Sequence, residues 1–485
     1  MAKQSILFIT NCELGQSTVA LAVAYEFLLR PEYDVHIASF PALENAVLEL
    51  NNDVSKISGF STPSKITFHT IAGKSMKEAA ARKNEFIEMH PPGISGAVFA
   101  YYNVVPATLG SWNGTEYMIG YSSIIEIINE VKPTFCAVDP LLSQATDACN
   151  EIDQKFGLLS PNTFKDHVIR DQPKGGSLWK FPQICTGFSY PMSWPHIFAN
   201  IYCTFRALYS RATNPLLKEI TDYRHSCGIK GEIPSLFGGH GDAPIVCMST
   251  PAIDLPFFVP PHVTGAGPIL LPTLPIAESH PELASWLSLR PTILVNLGSH
   301  ILFDEEFATE FATGLRVLLE RRPDIQILWK LKTQGGTKER LYAKDGGFQI
   351  IAKELADGRV RIEEWLPAQP IAILRSKNII CMIHHGGSNS YHEAISAGVP
   401  QIVLPVWIDT YDFATRVEFL GVGVWGSRKA APRVEAEELG LALVKVVDSD
   451  ESAVMSEKAK VIEAGLSKTI GRVVACDKLI DLMNA

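Results

Sequence analysis

A single run between residues 379 and 407, IICMIHHGGSNSYHEAISAGVPQIVLPVW, restricts the folds open to this chain of 485 residues. It begins with an apolar stretch at 379–383, turns at a glycine pair, and continues as an amphipathic segment that ends at Gly398. A second apolar stretch follows at 401–406. Strand, loop, helix and strand in this order form a parallel α/β unit, so the sequence predicts an α/β fold.

The glycine turn in this run is suited to an anion. Gly386 and Gly387 remove two side chains where a ligand would meet the backbone, and residues 388–390 follow with free N–H groups at the start of a helix. His385 stands at the mouth of the turn, and Glu393 lies about one helical turn further on. A phosphate contact and a hydroxyl contact on one ligand indicate a nucleotide.

Each of these features also has a purely structural interpretation. Glycines after a buried strand often serve packing alone, and a single histidine at a helix start is more often a cap or a core group. His384, His385, His392 and Glu393 together suggest a metal site, but they lack the i, i+4 histidine pair of a zinc-binding helix. We therefore expect no metal.

The same plan occurs twice along the chain. An apolar strand at 5–10 precedes a helical pattern at 17–29, and a second strand at 292–297 precedes a helical pattern at 305–321. Between the two halves, residues 251–276 contain seven prolines, which is typical of an extended linker. The sequence thus predicts two Rossmann-like domains facing each other, with ligands in the cleft between them.

Composition excludes several other classes of protein. The net charge of −9 comes without a basic block, which argues against nucleic acid as a partner. Nine cysteines, an odd number without CxxC spacing, indicate reduced thiols. Since no apolar run reaches the ~18 residues of a membrane span and the N-terminal run is too short for a signal peptide, we expect a cytoplasmic protein without a transmembrane segment.

The segment from Trp365 to Asp409 resembles the donor-binding signature of the UDP-dependent glycosyltransferases, the family 1 enzymes of GT-B fold. The matching positions are Trp365, Pro367, Gln369, the run HHGGSNS, Glu393, Gly398-Val399-Pro400 and residues 405–409. The resemblance extends more thinly to the first strand, the linker and Asn296-Leu297-Gly298-Ser299. Fungal members look most similar, because many begin with a comparable Asn-x-Glu-x-Gly-Gln loop.

The resemblance implies a division of the chain. We expect an acceptor-binding domain at 1–250, a proline-rich linker at 251–290 and a nucleotide-sugar-binding domain at 291–465. Residues 466–485 would form a last helix that crosses back to pack on the N-terminal domain. Such a helix would couple the two halves mechanically.

The resemblance also implies donor contacts. Trp365 would stack on uracil beside Gln369 or Ala368, and Glu393 would bind the ribose hydroxyls. Asp409 would bind the transferred sugar, for which the resemblance favours glucose, although Thr410 replaces the glutamine that usually follows. The diphosphate would be held without a metal or cofactor by His385 and by the backbone at Gly387, Asn389, Ser390 and Ser299.

The acceptor side departs from the family pattern. Gln16 stands where plant and bacterial relatives carry the catalytic histidine, and glutamine cannot act as a base. The loops at strand ends offer Glu13, Asp139 and His69. We expect Asp139 to be the base, with Gln16 orienting the acceptor hydroxyl and His69 as the rival.

Two aromatic regions bear on the acceptor. Tyr101, Tyr102, Trp112 and Tyr117 lie in the first, and aromatic residues of 194–209 recur at helical spacing in the second. This spacing favours burial in the core over a pocket, and weak contact with a membrane surface is a third interpretation. Because the acceptor pocket of the family lies in this domain, a small lipophilic or aromatic acceptor is expected.

The sequence predicts an inverting glycosyltransferase that moves a sugar from a UDP-sugar to a hydroxyl group. The replacement of histidine by Gln16 keeps a second hypothesis open, a non-catalytic protein that binds a nucleotide sugar. A sugar-nucleotide epimerase of the same fold would need acidic or basic groups around C2 of the sugar, and the sequence does not identify them.

Overall fold

The computed structural model describes residues 3–59, 64–80, 88–236 and 238–485. In these residues the N-terminal half forms a seven-stranded parallel sheet of order β3-β2-β1-β4-β5-β6-β7. Its strands are β1 (Gln4–Ile9), β2 (Tyr33–Ser39), β3 (Thr67–Thr70), β4 (Phe135–Val138), β5 (Phe156–Ser160), β6 (Ile245–Cys247) and β7 (Val263–Gly265).

The C-terminal half forms a six-stranded parallel sheet of order β10-β9-β8-β11-β12-β13 within the same described ranges. Its strands are β8 (Thr292–Asn296), β9 (Gln326–Lys330), β10 (Val360–Glu363), β11 (Ile379–His384), β12 (Gln401–Val403) and β13 (Gly423–Trp425). Every residue of β8 and β9 is buried, as expected of parallel strands covered on both faces.

Helices cover both sheets. Those of the first half are α1 (Leu14–Leu28), α2 (Glu44–Ser58), α3 (Met76–Ala80), α4 (Gly93–Leu109), α5 (Gly114–Val131), α6 (Ser143–Glu151), α7 (Phe164–Val168), α8 (Gly176–Trp179), α9 (Trp194–Thr213), α10 (Pro215–Ser226), α11 (Ile276–Ser279) and α12 (Pro281–Leu287). Those of the second half are α13 (Glu305–Arg321), α14 (Thr337–Leu341), α15 (Ala352–Ala356), α16 (Pro370–Leu374), α17 (Ser388–Ser396), α18 (Thr410–Leu420), α19 (Ala436–Val447), α20 (Asp450–Leu466) and α21 (Gly471–Asn484). The predicted α/β architecture of two Rossmann-like domains is confirmed.

Strand order reverses at the same place in both sheets. β1 lies between β2 and β4, and β8 lies between β9 and β11. In open parallel sheets, ligands bind outside the carboxyl ends of the strands at such a reversal. The loop after β1 leads into the first turn of α1, which contains Gln16, and the loop after β11 contains the glycine turn, so both are placed at the binding edges.

The predicted linker differs from the observed connection. Its first part contributes β7, which pairs with β6, so the N-terminal sheet extends beyond residue 250 to Gly265. α11 and α12 follow before β8 begins. Proline content alone did not reveal this strand, because the prolines flank residues 263–265 without interrupting them.

The last helix, α21, packs on the first helix of the chain. Ala475, Cys476, Leu479 and Met483 are buried in the same apolar cluster as α1 and β1. Arg472 pairs with Glu26 on α1 at 2.6 Å. The last helix of the chain therefore packs on and stabilises the N-terminal domain, although it follows the C-terminal domain in sequence.

The aromatic stripe of α9 is not in the core. Its large side chains point away from the domain, whereas Tyr101, Trp112 and Tyr117 of the first aromatic region are buried. The expectation of burial from helical spacing is therefore wrong for α9. Period 3.6 identifies an apolar face but not the side to which that face turns.

A cluster of buried charges joins the two domains. Arg416 on α18 donates from Nε to Asp254 at 2.7 Å and from Nη2 to the Thr163 hydroxyl at 2.6 Å, both in the N-terminal half. Beside it, Lys165 on α7 pairs with Asp412 on α18 at 2.5 Å. Since all four charged groups are buried, each depends on its partner for its charge.

We predict that Arg416→Met destabilises the protein by ~3–5 kcal/mol, because the buried Asp254 carboxylate loses its counter-charge. Arg316→Met is the matched control, since Arg316 pairs with Glu320 on the surface and its loss should cost ~0–1 kcal/mol. Urea unfolding followed by tryptophan fluorescence measures both. Equal losses in the two variants would contradict a stabilising role for the interdomain pair.

Candidate functional site

A cavity of about 740 Å³ lies between the carboxyl edges of the two sheets. Most of the residues singled out from the sequence line it: Glu13, Gln16, Ser299, Trp365, Ala368, Gln369, His385, Gly387, Asn389, Ser390, Glu393, Asp409 and Thr410. Asp139 and His69 do not. The cavity therefore brings the predicted donor set together and separates it from two of the predicted catalytic residues.

The turn after β11 is tightly packed and requires glycine. Gly386 has φ +85°, and a Cβ at this position would meet the Thr410 carbonyl oxygen at 2.6 Å. A Cβ at Gly387 or Gly298 would meet the His385 ring at 2.6 Å. Two glycines, one in the loop after β8 and one in the loop after β11, thus leave room for the imidazole between them at the cavity wall.

The N-terminus of α17 faces the N-terminal domain. Gly387 precedes the helix without a side-chain cap, and no acidic residue lies in the first turn. Ser388 donates its hydroxyl to the Pro161 carbonyl at 2.6 Å, and the Asn389 amide donates to the Leu14 carbonyl at 3.2 Å. The predicted anion site therefore touches the first turn of α1, which contains Gln16.

Two lysines beside Trp365 were missed in the sequence. The ammonium groups of Lys330 and Lys332 lie 4.0 and 4.8 Å from the centre of the indole ring. They donate to the carbonyls of Gly298 and Ser299 at 3.0 and 2.8 Å. Burial, reinforced by Lys332, lowers the pKa of Lys330 to about 8. A lysine at the end of a buried strand, at the edge where ligands bind, was the available signal.

His385 is a neutral imidazole in this site. Burial, together with His384, His300 and Lys330, lowers its pKa to about 3. Its Nδ1 atom has no hydrogen-bond partner among the described residues. The positive potential at the cavity wall therefore comes from Lys330 and the α17 N-terminus, and His385 supplies a hydrogen bond without a charge.

Two carboxyl groups of the C-terminal domain also line the cavity. Burial raises the pKa of Glu393 to about 8, and burial followed by the charge of Asp166 raises that of Asp409 to about 7. Asp166, which the sequence analysis did not identify, lines the cavity from the N-terminal domain. One carboxyl group from each domain thus faces the same end of the cavity.

Thr410 lines the cavity, but its hydroxyl is engaged by its own loop. It accepts from the N–H groups of Val406 and Trp407 at 3.0 Å each and donates to the Trp407 carbonyl. The hydroxyl therefore orders the loop that presents Asp409. Thr410, at the position where the resemblance places a glutamine, therefore lines the cavity with its hydroxyl already hydrogen-bonded.

Asp139 is buried behind the cavity wall. Its carboxylate accepts from the Asn11 backbone and side-chain amides at 3.1 and 3.0 Å, and from the Leu141 N–H at 2.9 Å. Asn11 and Leu141 thus surround the carboxylate, which does not reach the cavity. This placement does not fit the hypothesis that Asp139 is the base.

His69 lies on β3, at the edge of the sheet. Its Nε2 is 3.0 Å from Nδ1 of His36, and burial lowers the pKa of both rings. The side chain is outside the cavity lining. His69 is therefore placed as a structural partner of the neighbouring strand.

Glu13 is the remaining carboxylate of the strand-end loops, and it lines the cavity. Its Oε1 accepts from the Lys77 N–H at 2.9 Å, while Oε2 has no partner within the described ranges. Burial raises its pKa above the ordinary value. Gln16 stands beside it with an equally unpartnered Oε1.

The part of the cavity formed by residues before 275 is largely aliphatic. Its lining residues include Leu14, Leu21, Leu50, Ile57, Met76, Val105, Leu109, Leu141, Ile184, Leu236, Leu270, Leu271 and Leu274. The tyrosines and tryptophans of the two aromatic regions are outside it. The two aromatic regions of the sequence therefore do not form an aromatic pocket in this cavity.

Two further findings concern metals and membranes. Within the described ranges, no three side chains of His, Cys, Asp or Glu converge in a way that could hold a metal ion. No helix in this part of the chain is long and apolar enough to cross a membrane.

Comparison with known proteins identifies the family. Residues 351–479 match the domain described as "Erythromycin biosynthesis protein CIII-like, C-terminal domain". Glycosyltransferase sdnJ of Sordaria araneosa is 37% identical over 99% of this chain and 97% of its own length. A UDP-glycosyltransferase of Talaromyces amestolkiae is 25% identical over 48% of this chain and 44% of its own.

Solved structures share the fold at low sequence identity. A UDP-glucosyltransferase of Polygonum tinctorium, capable of glucosylating indoxyl, aligns over 100% of both chains with a TM-score of 0.64 and 14% identity. The end-to-end match to sdnJ carries the assignment beyond the shared fold. With its two facing α/β domains and its donor signature gathered in one cleft, the chain belongs to the UDP-dependent glycosyltransferases of GT-B fold.

Proposed function

We propose that the protein transfers a hexose, with inversion, from a UDP-sugar to a hydroxyl group of a lipophilic, largely aliphatic acceptor. The single observation that carries this proposal is the shared cavity. A polar, lysine-bearing wall and an aliphatic wall face each other within one space of about 740 Å³. This arrangement suits a charged donor and an apolar acceptor bound together.

The donor would lie along the C-terminal wall. Uracil would stack on the half-exposed indole of Trp365 and would lie beside Gln369. Glu393 would accept the ribose hydroxyls. The diphosphate would meet Lys330, the backbone of Ser299 and the first turn of α17, with a hydrogen bond from His385.

The sugar would lie between Asp409 and Asp166, one from each domain. Carboxylates are suited to hexose hydroxyls, each of which can donate a hydrogen bond. Burial and the charge of Asp166 raise the pKa of Asp409 to about 7, so part of the Asp409 population holds a proton near neutral pH. Glucose remains the sugar we propose on the strength of the family resemblance.

Glu13 would be the general base in place of the residues inferred from the sequence. Its free Oε2 takes the proton of the acceptor hydroxyl, whose oxygen forms a bond to C1 of the sugar as the C1–O bond to the diphosphate breaks. UDP leaves with the bonding electron pair, and attack from the face opposite UDP inverts the anomeric centre. Burial of Glu13 supports this role, because a raised pKa makes a carboxylate a stronger base.

Gln16 would assist as an amide donor. Its side chain lines the cavity three residues after Glu13, where an N–H group could orient the acceptor oxygen. The alternative function, a non-catalytic nucleotide-sugar binder, keeps the donor contacts and lacks this proton transfer. The free carboxylate oxygen of Glu13 favours the enzyme.

Turnover separates these two functions. Incubation of the protein with UDP-glucose and with other UDP-hexoses, against matched panels of aliphatic alcohols and phenols, should yield glycosides detectable by mass spectrometry, with aliphatic acceptors preferred. The yield should be the same with and without EDTA, because lysine and the helix terminus stabilise the diphosphate. UDP binding without transfer or hydrolysis would establish the binder instead.

Trp365→Ala should weaken UDP binding by ~5–150-fold, which corresponds to the ~1–3 kcal/mol of a stacked base. Calorimetric titration with UDP measures this effect. Trp194→Ala is the matched control, because Trp194 is an exposed tryptophan outside the cavity. Unchanged UDP affinity in Trp365→Ala would show that uracil does not stack on Trp365.

Glu13→Gln should lower turnover by ~10²-fold or more while UDP affinity is kept, since only the proton acceptor is lost. In the wild type, kcat/KM should fall as the pH drops through the raised pKa of Glu13, because the base must be ionised. This limb of the pH profile should disappear in the variant. His69→Ala, the control, should retain full turnover; an inactive His69→Ala with an active Glu13→Gln would return the role of base to the histidine.

A further inference from the structure

α9 turns its apolar face to the solvent. Six large side chains, Trp194, Phe198, Tyr202, Phe205, Leu208 and Tyr209, recur along one side of the helix and are between 46% and 77% exposed. Trp179 on the adjacent α8 is also nearly half exposed. Single exposed apolar residues are common on proteins, but a continuous aromatic face of four turns marks an interaction surface.

The inner face of the helix is polar, which fixes this orientation. The Asn200 side-chain amide donates to the carbonyls of Leu178 and Phe181 at 3.0 Å each, and its oxygen accepts from the Gln183 N–H at 2.6 Å. Ser210 donates to the Tyr101 carbonyl at 2.6 Å. Rotating the helix to bury the aromatic face would break these buried hydrogen bonds, so the exposed face is built into the fold.

The surrounding sequence is basic in an acidic protein. From residue 172 to residue 218 the chain contains no aspartate or glutamate, although the whole chain has a net charge of −9. In the described structure, Lys174, Lys180 and Arg206 have no carboxylate within ion-pair distance; Arg206 instead donates to the hydroxyls of Tyr202 and Tyr102. The aromatic face therefore has a rim of uncompensated positive charge.

We propose that this face, which we call the α9 face, docks on the surface of an anionic lipid bilayer. Tryptophan, tyrosine and phenylalanine on one side of a helix enter the boundary between headgroups and acyl chains, and basic residues at the rim meet anionic headgroups. A second copy of the chain fits less well, because a symmetric contact would set one basic rim against another.

Docking would place the cleft beside the bilayer. α9 packs on α4, and residues Val105, Thr108 and Leu109 of α4 line the aliphatic wall of the cavity. One helix thus separates the α9 face from the acceptor side. Docking itself does not depend on the reaction proposed above, and its test does not require turnover.

The test is flotation of the full chain with vesicles. The protein should float with vesicles of equal parts phosphatidylcholine and phosphatidylserine, less with phosphatidylcholine alone, and less again as salt is added. Phe198→Asp/Phe205→Asp should weaken binding by ~10-fold or more, because two aromatic side chains no longer enter the interface. Lys174→Glu/Lys180→Glu should remove the preference for phosphatidylserine.

Leu289→Asp/Leu441→Asp is the matched control, since both leucines are exposed to a similar degree away from α9. It should bind vesicles as the wild type does, and circular dichroism should show that every variant is folded. Failure of the wild type to bind the mixed vesicles, or equal binding by the Phe198→Asp/Phe205→Asp variant, overturns the proposal. So does a wild-type dimer that this variant converts to a monomer.

Discussion

The buried pairing of Arg416 with Asp254, and of Lys165 with Asp412, holds the two domains in one arrangement. Charges taken out of water are tolerated only when their partners are held in place, so the cluster specifies a particular fit of α18 against the N-terminal half. α18 begins directly after Asp409. The helix that carries Asp412 and Arg416, which join the domains, therefore also positions Asp409, which would contact the sugar.

The loops of the site depend on this fit. The Asn389 amide reaches Leu14, next to Glu13, and the Ser388 hydroxyl reaches Pro161 across the same gap. The binding edges of the two sheets are thus in direct contact. Polar atoms left without partners, on Glu13, Gln16, His385 and Asn389, collect at this junction among the described residues. Unpaired buried polar atoms are costly, and their concentration here is typical of a surface shaped for a polar ligand.

The features predicted correctly from the sequence are those that depend on residues close together along the chain. The predicted donor residues from Trp365 to Asp409 lie close together along the chain around one βαβ unit, so local sequence pattern was enough to predict that they share one cavity. The bounds of α13 were also predicted, because Asp304 caps the helix and its apolar residues recur with helical period. The N-terminal part of the cavity is assembled from segments far apart in sequence, so local pattern could not show that Asp139 and His69 lie outside it or that Asp166 lines it. The orientation of α9 was missed for a related reason: Asn200 and Ser210 find their partners only in the folded domain.

The chain crosses between the domains twice, once through the segment that leads from β7 to β8 and again through the short connection from α20 to α21. At the second crossing, Gly471 lies so close to the first that a Cβ would meet the Pro268 carbonyl oxygen at 2.2 Å. Because the two covalent connections lie side by side, the easiest motion of one domain relative to the other is rotation about an axis that passes through both connections. Product release would then proceed by opening the far side of the cleft, with the crossing points as the fixed edge.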